Sequence, residues 1–142
     1  MNVQNKLIVA IDFDGTIVED AYPKIGKPKL FVFETLKKLQ EEGHRLILWT
    51  YRNGSRLEEA VLFCKENGIN FYAVNKSYPE EEFDTSHSRK IYADSFIDDR
   101  NLGGLFGWGE NYQMITKEKP HIKGQQKKGF FSFFKKSLIL IH

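Results

Sequence analysis

The sequence predicts an α/β fold in which a mostly parallel sheet carries helices on both faces. Three observations lead to it. Short continuous apolar runs, residues 7–11 and 46–49 clearest among them, have the length and pattern of strands buried on both faces. Stretches with helical spacing alternate with these runs, the order of parallel strand–helix–strand units. The runs also stop abruptly on polar residues at Asp12, Thr50 and Asp98. In open α/β sheets, ligands bind just beyond such carboxyl ends.

Leu7-Ile8-Val9-Ala10-Ile11 is the first expected strand, and it stops on Asp12-Phe13-Asp14-Gly15-Thr16. An irregular segment containing Pro23, Gly26 and Pro28 follows. A helix is expected over about residues 30–42, with Val32, Leu36 and Leu39 on its apolar face and Gly43 closing it. Residues 46–49 form the second strand. Ser55 and Glu58 then have the spacing of a capping box. Leu57, Ala60, Val61 and Cys64 continue a helix that Asn67-Gly68 ends. Residues 69–74 read as the third strand and residues 75–89 as a polar, acidic loop. A short helical turn around Lys90 leads into a strand at 95–97, which stops on Asp98-Asp99. Residues 112–115 read as a fifth strand. The whole is a three-layer, Rossmann-like architecture.

Length and composition bound the rest. A chain of 142 residues holds one good core and is too short for two ordinary domains. The division expected is a folded domain over residues 1–116 and a basic, aromatic tail over residues 117–142. That tail holds seven lysines against the single acid Glu118, leaving the preceding residues net acidic within an overall charge of +2. The lone cysteine, Cys64, has no internal disulfide partner and lies on an apolar helix face, so structural burial is expected. No apolar stretch approaches membrane-spanning length. Asp12 interrupts the N-terminal apolar run, which does not read as a signal peptide, and a cytoplasmic location is expected.

Strand order gives these residues a chemical meaning. Asp12, Asp14, Thr50, Asp98 and Asp99 all fall at carboxyl ends of strands, and a turn at Gly15 would let both Asp12 and Asp14 reach one cavity. Four carboxylates brought that close repel one another unless a cation sits among them. Oxygen-only ligands favour a hard ion such as Mg²⁺, which takes one or two carboxylates together with water and phosphate oxygens.

From Lys6 to about Thr116 the chain resembles the haloacid dehalogenase superfamily of phosphotransferases, as a small uncapped member. Asp12-Phe13-Asp14-Gly15-Thr16 is similar to the first motif of that superfamily, Thr50 to the second, Lys90 to the third and Asp98-Asp99 to the fourth. The resemblance implies a phosphatase acting through an aspartyl phosphate on Asp12. Asp14 would protonate the leaving oxygen and then deprotonate the hydrolytic water. Mg²⁺ would be held by Asp12, the Asp14 carbonyl and Asp98, with Asp99 as a further ligand or its neighbour. Thr50 and Lys90 would neutralise the phosphoryl oxygens, Lys76 being the other lysine able to reach this edge. Arg52 would bind substrate phosphate or pair with a nearby acid. Thr-x-Arg together with Ile-Asp-Asp-Arg also resembles the phosphatase half of polynucleotide kinase-phosphatases, which act on nucleic-acid 3′-phosphates.

No cap domain is expected, since residues 17–29 are only a short flap and residues 75–94 leave no room for a folded insertion. The substrate is therefore a phosphate ester, small or macromolecular, selected by the flap, by another copy of the chain in a homo-oligomer, or by its own size. Tyr22, Tyr51 and Trp108 are candidates to stack on a ring. The tail's lysines and phenylalanines suit an anionic membrane surface, a nucleic acid, or docking on an apolar protein surface. Two other readings compete with it. A signalling receiver domain wants an aspartate after the third strand, where this chain has Asn75. A catalytically idle binding module does not need the intact Asp12 and Asp14.

Overall fold

The computed structural model describes residues 6–117. Its elements run β1 (Ile8–Ile11), α1 (Val32–Glu41), β2 (Arg45–Leu48), α2 (Gly54–Glu66), β3 (Ala73–Val74), β4 (Ser95–Ile97) and α3 (Trp108–Lys117). The four strands form one parallel sheet in the order β3-β2-β1-β4. This is the expected α/β, Rossmann-like class, with no folded cap domain among the described residues.

Strand order locates the cleft. From β1 the chain steps outward through β2 to β3, then returns across the sheet to place β4 on the other side of β1. The direction of winding thus reverses at β1, and the crevice beyond its carboxyl end is the topological switch point. Register brings the strand ends level there, because Ile11 pairs with both Leu48 and Ile97. The ladder continues one bond further on each side, with Trp49 N–H donating to Ile11 O at 2.8 Å and Asp12 N–H to Ile97 O at 3.0 Å.

Each sheet face has its own packing. Two successive right-handed crossovers in one direction put α1 and α2 on the same face. There Phe33 of α1 meets Phe63 of α2 edge to face at 5.8 Å. Val9, Ile11, Leu46 and Leu48 are buried, as are Leu36 and Leu39 of α1. Each such leucine stabilises the fold by about 1.5–3 kcal/mol relative to an exposed one. On the other face Ala10, Ile47 and Ala73 lie in one row of the register. They pack with Ile91, supplied by the return segment between β3 and β4.

Several local expectations are corrected. Helix α1 starts at Val32 because Phe31 takes a left-handed conformation (φ 65°) that no helix continues. The capping box at Ser55 and Glu58 does not form; α2 begins two residues earlier, with Asn53 rather than Ser55 as its cap and Leu57 N–H bonded to Asn53 O at 3.2 Å. Strand β3 keeps only Ala73 and Val74, since only these pair with Ile47 and Leu48. No helical turn forms around Lys90. Residues 112–115, expected as a fifth strand, belong to α3. An apolar run this short fits either period, and Trp108, Tyr112 and Ile115 recur at helical spacing.

The chain divides into two units, the second beginning at Gly109. The basic, phenylalanine-rich segment proposed as a surface-binding tail lies, beyond Lys117, outside the described residues. Among the described residues no helix is long and apolar enough to cross a membrane.

Candidate active site

Immediately after β1 the backbone winds into a tight turn. Phe13 O accepts the N–H groups of Thr16, Ile17 and Val18 at 3.1, 2.9 and 3.2 Å. Phe13 points into the core and meets Phe63 edge to face at 6.4 Å. Asp12 and Asp14, on either side of it, both line the cavity. Gly15 makes the turn possible, since its φ is +86° and a Cβ there would collide with the Asp99 carboxylate. The chain then folds back as a flap. Glu19 N–H bonds to Lys27 O at 2.7 Å and Lys29 N–H to Ile17 O at 2.8 Å.

The turn places Asp12 beside the end of β4. Asp12, Asp98 and Asp99 each offer a carboxylate oxygen, and these oxygens all lie within 4.8 Å of one another. Thr16 links them. Its hydroxyl lies 3.0 Å from Asp12 Oδ2 and 3.3 Å from Asp99 Oδ1, and accepts the Asp99 backbone N–H at 3.0 Å. Burial, and then the charge of Asp98, push Asp12 up to about 7. A carboxylate destabilised in this way is relieved by a cation, and an all-oxygen donor set is the chemistry a hard divalent ion takes. The residues present therefore fit Mg²⁺.

The Asp14 carboxylate is not part of that cluster. It faces Arg52 in a two-bond fork, with Arg52 Nε donating to Oδ2 at 2.8 Å and Nη2 to Oδ1 at 2.7 Å. Arg52 is almost fully buried, whereas Asp14 keeps some exposure to the cavity. The hydrogen bond to Asp14 raises the pKa of Arg52 further above its ordinary range. Of the two roles expected for Arg52, phosphate binding and pairing with a nearby acid, its guanidinium makes the second contact, with Asp14.

The cleft these groups share is a cavity of about 1050 Å³. Thr50 lines it, its backbone N–H held by Asn75 Oδ1 at 2.8 Å and its hydroxyl accepting the Arg52 N–H at 3.2 Å. Tyr22, Trp49, Tyr51 and Arg100 also line it. Lys90 does not; it is exposed in the return segment, as is Lys76. Trp108 is buried and donates its indole N–H to Thr16 O at 3.1 Å, so it braces the turn after β1 from beneath. Cys64 is buried as expected, and burial pushes its thiol up to about 12.

Three residues here were not singled out from the sequence. Thr16 was visible only as the last residue of the first motif, and its contact with Asp99 spans 83 positions. Asn75 directly follows β3 and so shares the sheet edge with Thr50; the sequence marked it only as the residue that rules out a receiver domain. Arg100 follows the acidic pair directly and was noted only as part of Ile-Asp-Asp-Arg.

No protein-family model matches the chain, and no curated protein does. A solved structure, that of a conserved protein coded by a locus of Bacteroides thetaiotaomicron, is similar to it with 56% sequence identity and a TM-score of 0.76. The match covers 82% of this chain and 94% of that one. With that identity over nearly the whole of the solved chain, this protein belongs to the same family as the conserved Bacteroides thetaiotaomicron protein.

Proposed function

We propose that this protein is a Mg²⁺-dependent phosphomonoesterase of the haloacid dehalogenase type. The observation that carries the reading is the grouping of Asp12, Asp98 and Asp99 oxygens within 4.8 Å at the switch point, with Asp14 lining the same open cavity. One of these carboxylates is the nucleophile and the set together is a cation site.

In the first half-reaction an Asp12 oxygen forms a bond to phosphorus while the bond to the leaving oxygen breaks. Asp14, protonated, gives its proton to that oxygen. In the second half, Asp14 as carboxylate takes a proton from water as the water oxygen attacks phosphorus. The bond to Asp12 then breaks, and inorganic phosphate leaves. Mg²⁺, when bound, would balance the charge of Asp12, Asp98 and Asp99 and of the phosphoryl group. Thr50 offers a hydroxyl at the cavity wall. Arg100, exposed at the rim, is the cation placed to meet phosphoryl oxygens. The uncapped cleft also suits a macromolecular ester, a 3′-phosphorylated oligonucleotide included.

Hydrolysis of an aryl phosphate with and without Mg²⁺ tests this reading. Activity is expected only with the metal, and Asp12→Asn should abolish it while the protein stays folded. Full activity in excess chelator, or in Asp12→Asn, would overturn it.

A further inference from the structure

Arg52 donates every one of its five N–H groups inside the protein. Nε and Nη2 grip Asp14 at 2.8 and 2.7 Å. The second Nη2 hydrogen goes to Lys24 O at 2.8 Å. Nη1 donates to Pro23 O and to Arg56 O, each at 3.3 Å. The guanidinium also lies 5.0 Å from the centre of the Phe13 ring and 5.1 Å from that of Tyr22. With five donors and five acceptors, the group has no N–H left for a substrate oxygen. Its acceptors come from three places: the turn after β1, the flap and the first turn of α2.

We infer that Arg52 is a positioning residue that clasps the flap to Asp14 and acts on the reaction only through that carboxylate. The inference rests on the phosphatase reading for its kinetic consequence, but the clasp itself does not. The fork uses one lone pair on each Asp14 oxygen, and Asp14 also lines the cavity. It fixes the plane of the carboxylate, which a side chain with two free torsions would otherwise sample. Proton transfer tolerates little misplacement. Pro23 and Lys24 reach the same guanidinium, so the flap and the acid move as one body.

The kinetic test uses the full chain with Mg²⁺ and phosphate esters of graded leaving group, from p-nitrophenyl to simple alkyl. Asp14→Asn is expected to lose about 10²–10⁴-fold in kcat/KM, which reads the step that expels the leaving group, on alkyl esters and less on p-nitrophenyl phosphate, whose leaving group needs no proton. Arg52→Ala should follow the same leaving-group trend with KM little changed. The double variant should be no slower than Asp14→Asn alone, as expected for residues acting as a unit. Added guanidinium ion should partly restore Arg52→Ala and leave Asp14→Asn unaffected. A loss equal across leaving groups, carried in KM and additive with Asp14→Asn, would place Arg52 on the substrate and overturn the inference.

Hydrogen exchange supplies a readout independent of turnover, and Arg52→Lys guards against misfolding of the alanine variant. Lysine keeps the charge but cannot make the fork. The flap amides of Glu19, Lys24 and Lys29 should exchange about tenfold or more faster in Arg52→Lys and in Asp14→Asn, while the amides of β1 and β2 keep their protection. Unchanged flap exchange in both variants would overturn the clasp. Loss of flap protection in both variants, with a wild-type protein inactive on every ester, would leave the clasp standing and sink the phosphatase reading alone.

Discussion

Thr16 and Asp99 are joined by a backbone N–H to hydroxyl bond of 3.0 Å, and the same hydroxyl lies 3.0 Å from Asp12. A single buried threonine thereby sets the distance between the end of β1 and the end of β4, and so the spacing of the carboxylates that define the site. Trp108 braces the carbonyl of that threonine from the other side.

Replacing Thr16 by valine keeps the volume and removes the hydroxyl. The Asp99 N–H then loses its partner, at a cost of about 1–3 kcal/mol in unfolding free energy. Thr16→Ser keeps the bond and should cost less. Urea denaturation of the two variants checks this, and a Thr16→Ser protein less stable than Thr16→Val would show that the methyl group, not the hydroxyl, matters.

Asp98 contributes to the charge that raises Asp12. Asp98→Ala should raise the melting temperature of the metal-free protein and reduce the stabilisation gained on adding Mg²⁺. Wild type at a hundredfold excess of metal over its Kd gains about 2.7 kcal/mol. Melting curves across a Mg²⁺ titration measure both effects. An identical Mg²⁺ dependence in wild type and variant would remove Asp98 from the site.

The raised Asp12 makes a pH prediction for the metal-free protein. Its ordinary value is 3.8, and in the folded chain it sits at about 7. Between those values the unfolded chain has lost the proton while the folded chain keeps it, so stability falls as pH rises through this window and levels above it. Melting in chelator should therefore show a decline from about pH 4 to pH 7 that Asp12→Asn flattens. Parallel curves for the two proteins would contradict the burial and charge effects assigned to Asp12.

Arg100 and Lys90 are separated by their placement. Arg100 lines the cavity, and Lys90 lies exposed outside it. Arg100→Ala is expected to raise KM for phosphate esters about tenfold, the scale of losing one charge-assisted hydrogen bond. Lys90→Ala should change kcat and KM by less than about twofold, as for a surface residue away from the site. Steady-state kinetics on one ester decides the matter, and the opposite ranking would mean that the return segment folds over the cleft during turnover.

The sheet class and the edge at which the carboxylates gather were already written in the sequence. A four-residue apolar strand such as β1 has no solvent face, so its burial between layers is written in its composition, and the aspartates that stop it must fall at its carboxyl end. Asp98 and Asp99 were legible for the same reason, as was the flap, bounded by its own prolines and glycine. Contacts between distant positions were decided only by the tertiary structure. Nothing local to Arg52 distinguishes a phosphate ligand from a clasp. Its direction depends on where Asp14 and the carbonyls of Pro23 and Lys24 come to rest, 28 to 38 positions earlier in the chain. Lys90 lies near Asp98 along the chain, yet the irregular path of residues 75–94 leaves it at the surface. Residues 112–115 could satisfy either period alone, and only the turns before them made a helix. Patterns of burial are encoded residue by residue along a strand or helix, whereas the target of a long side chain depends on backbone groups that the fold alone brings within hydrogen-bonding distance.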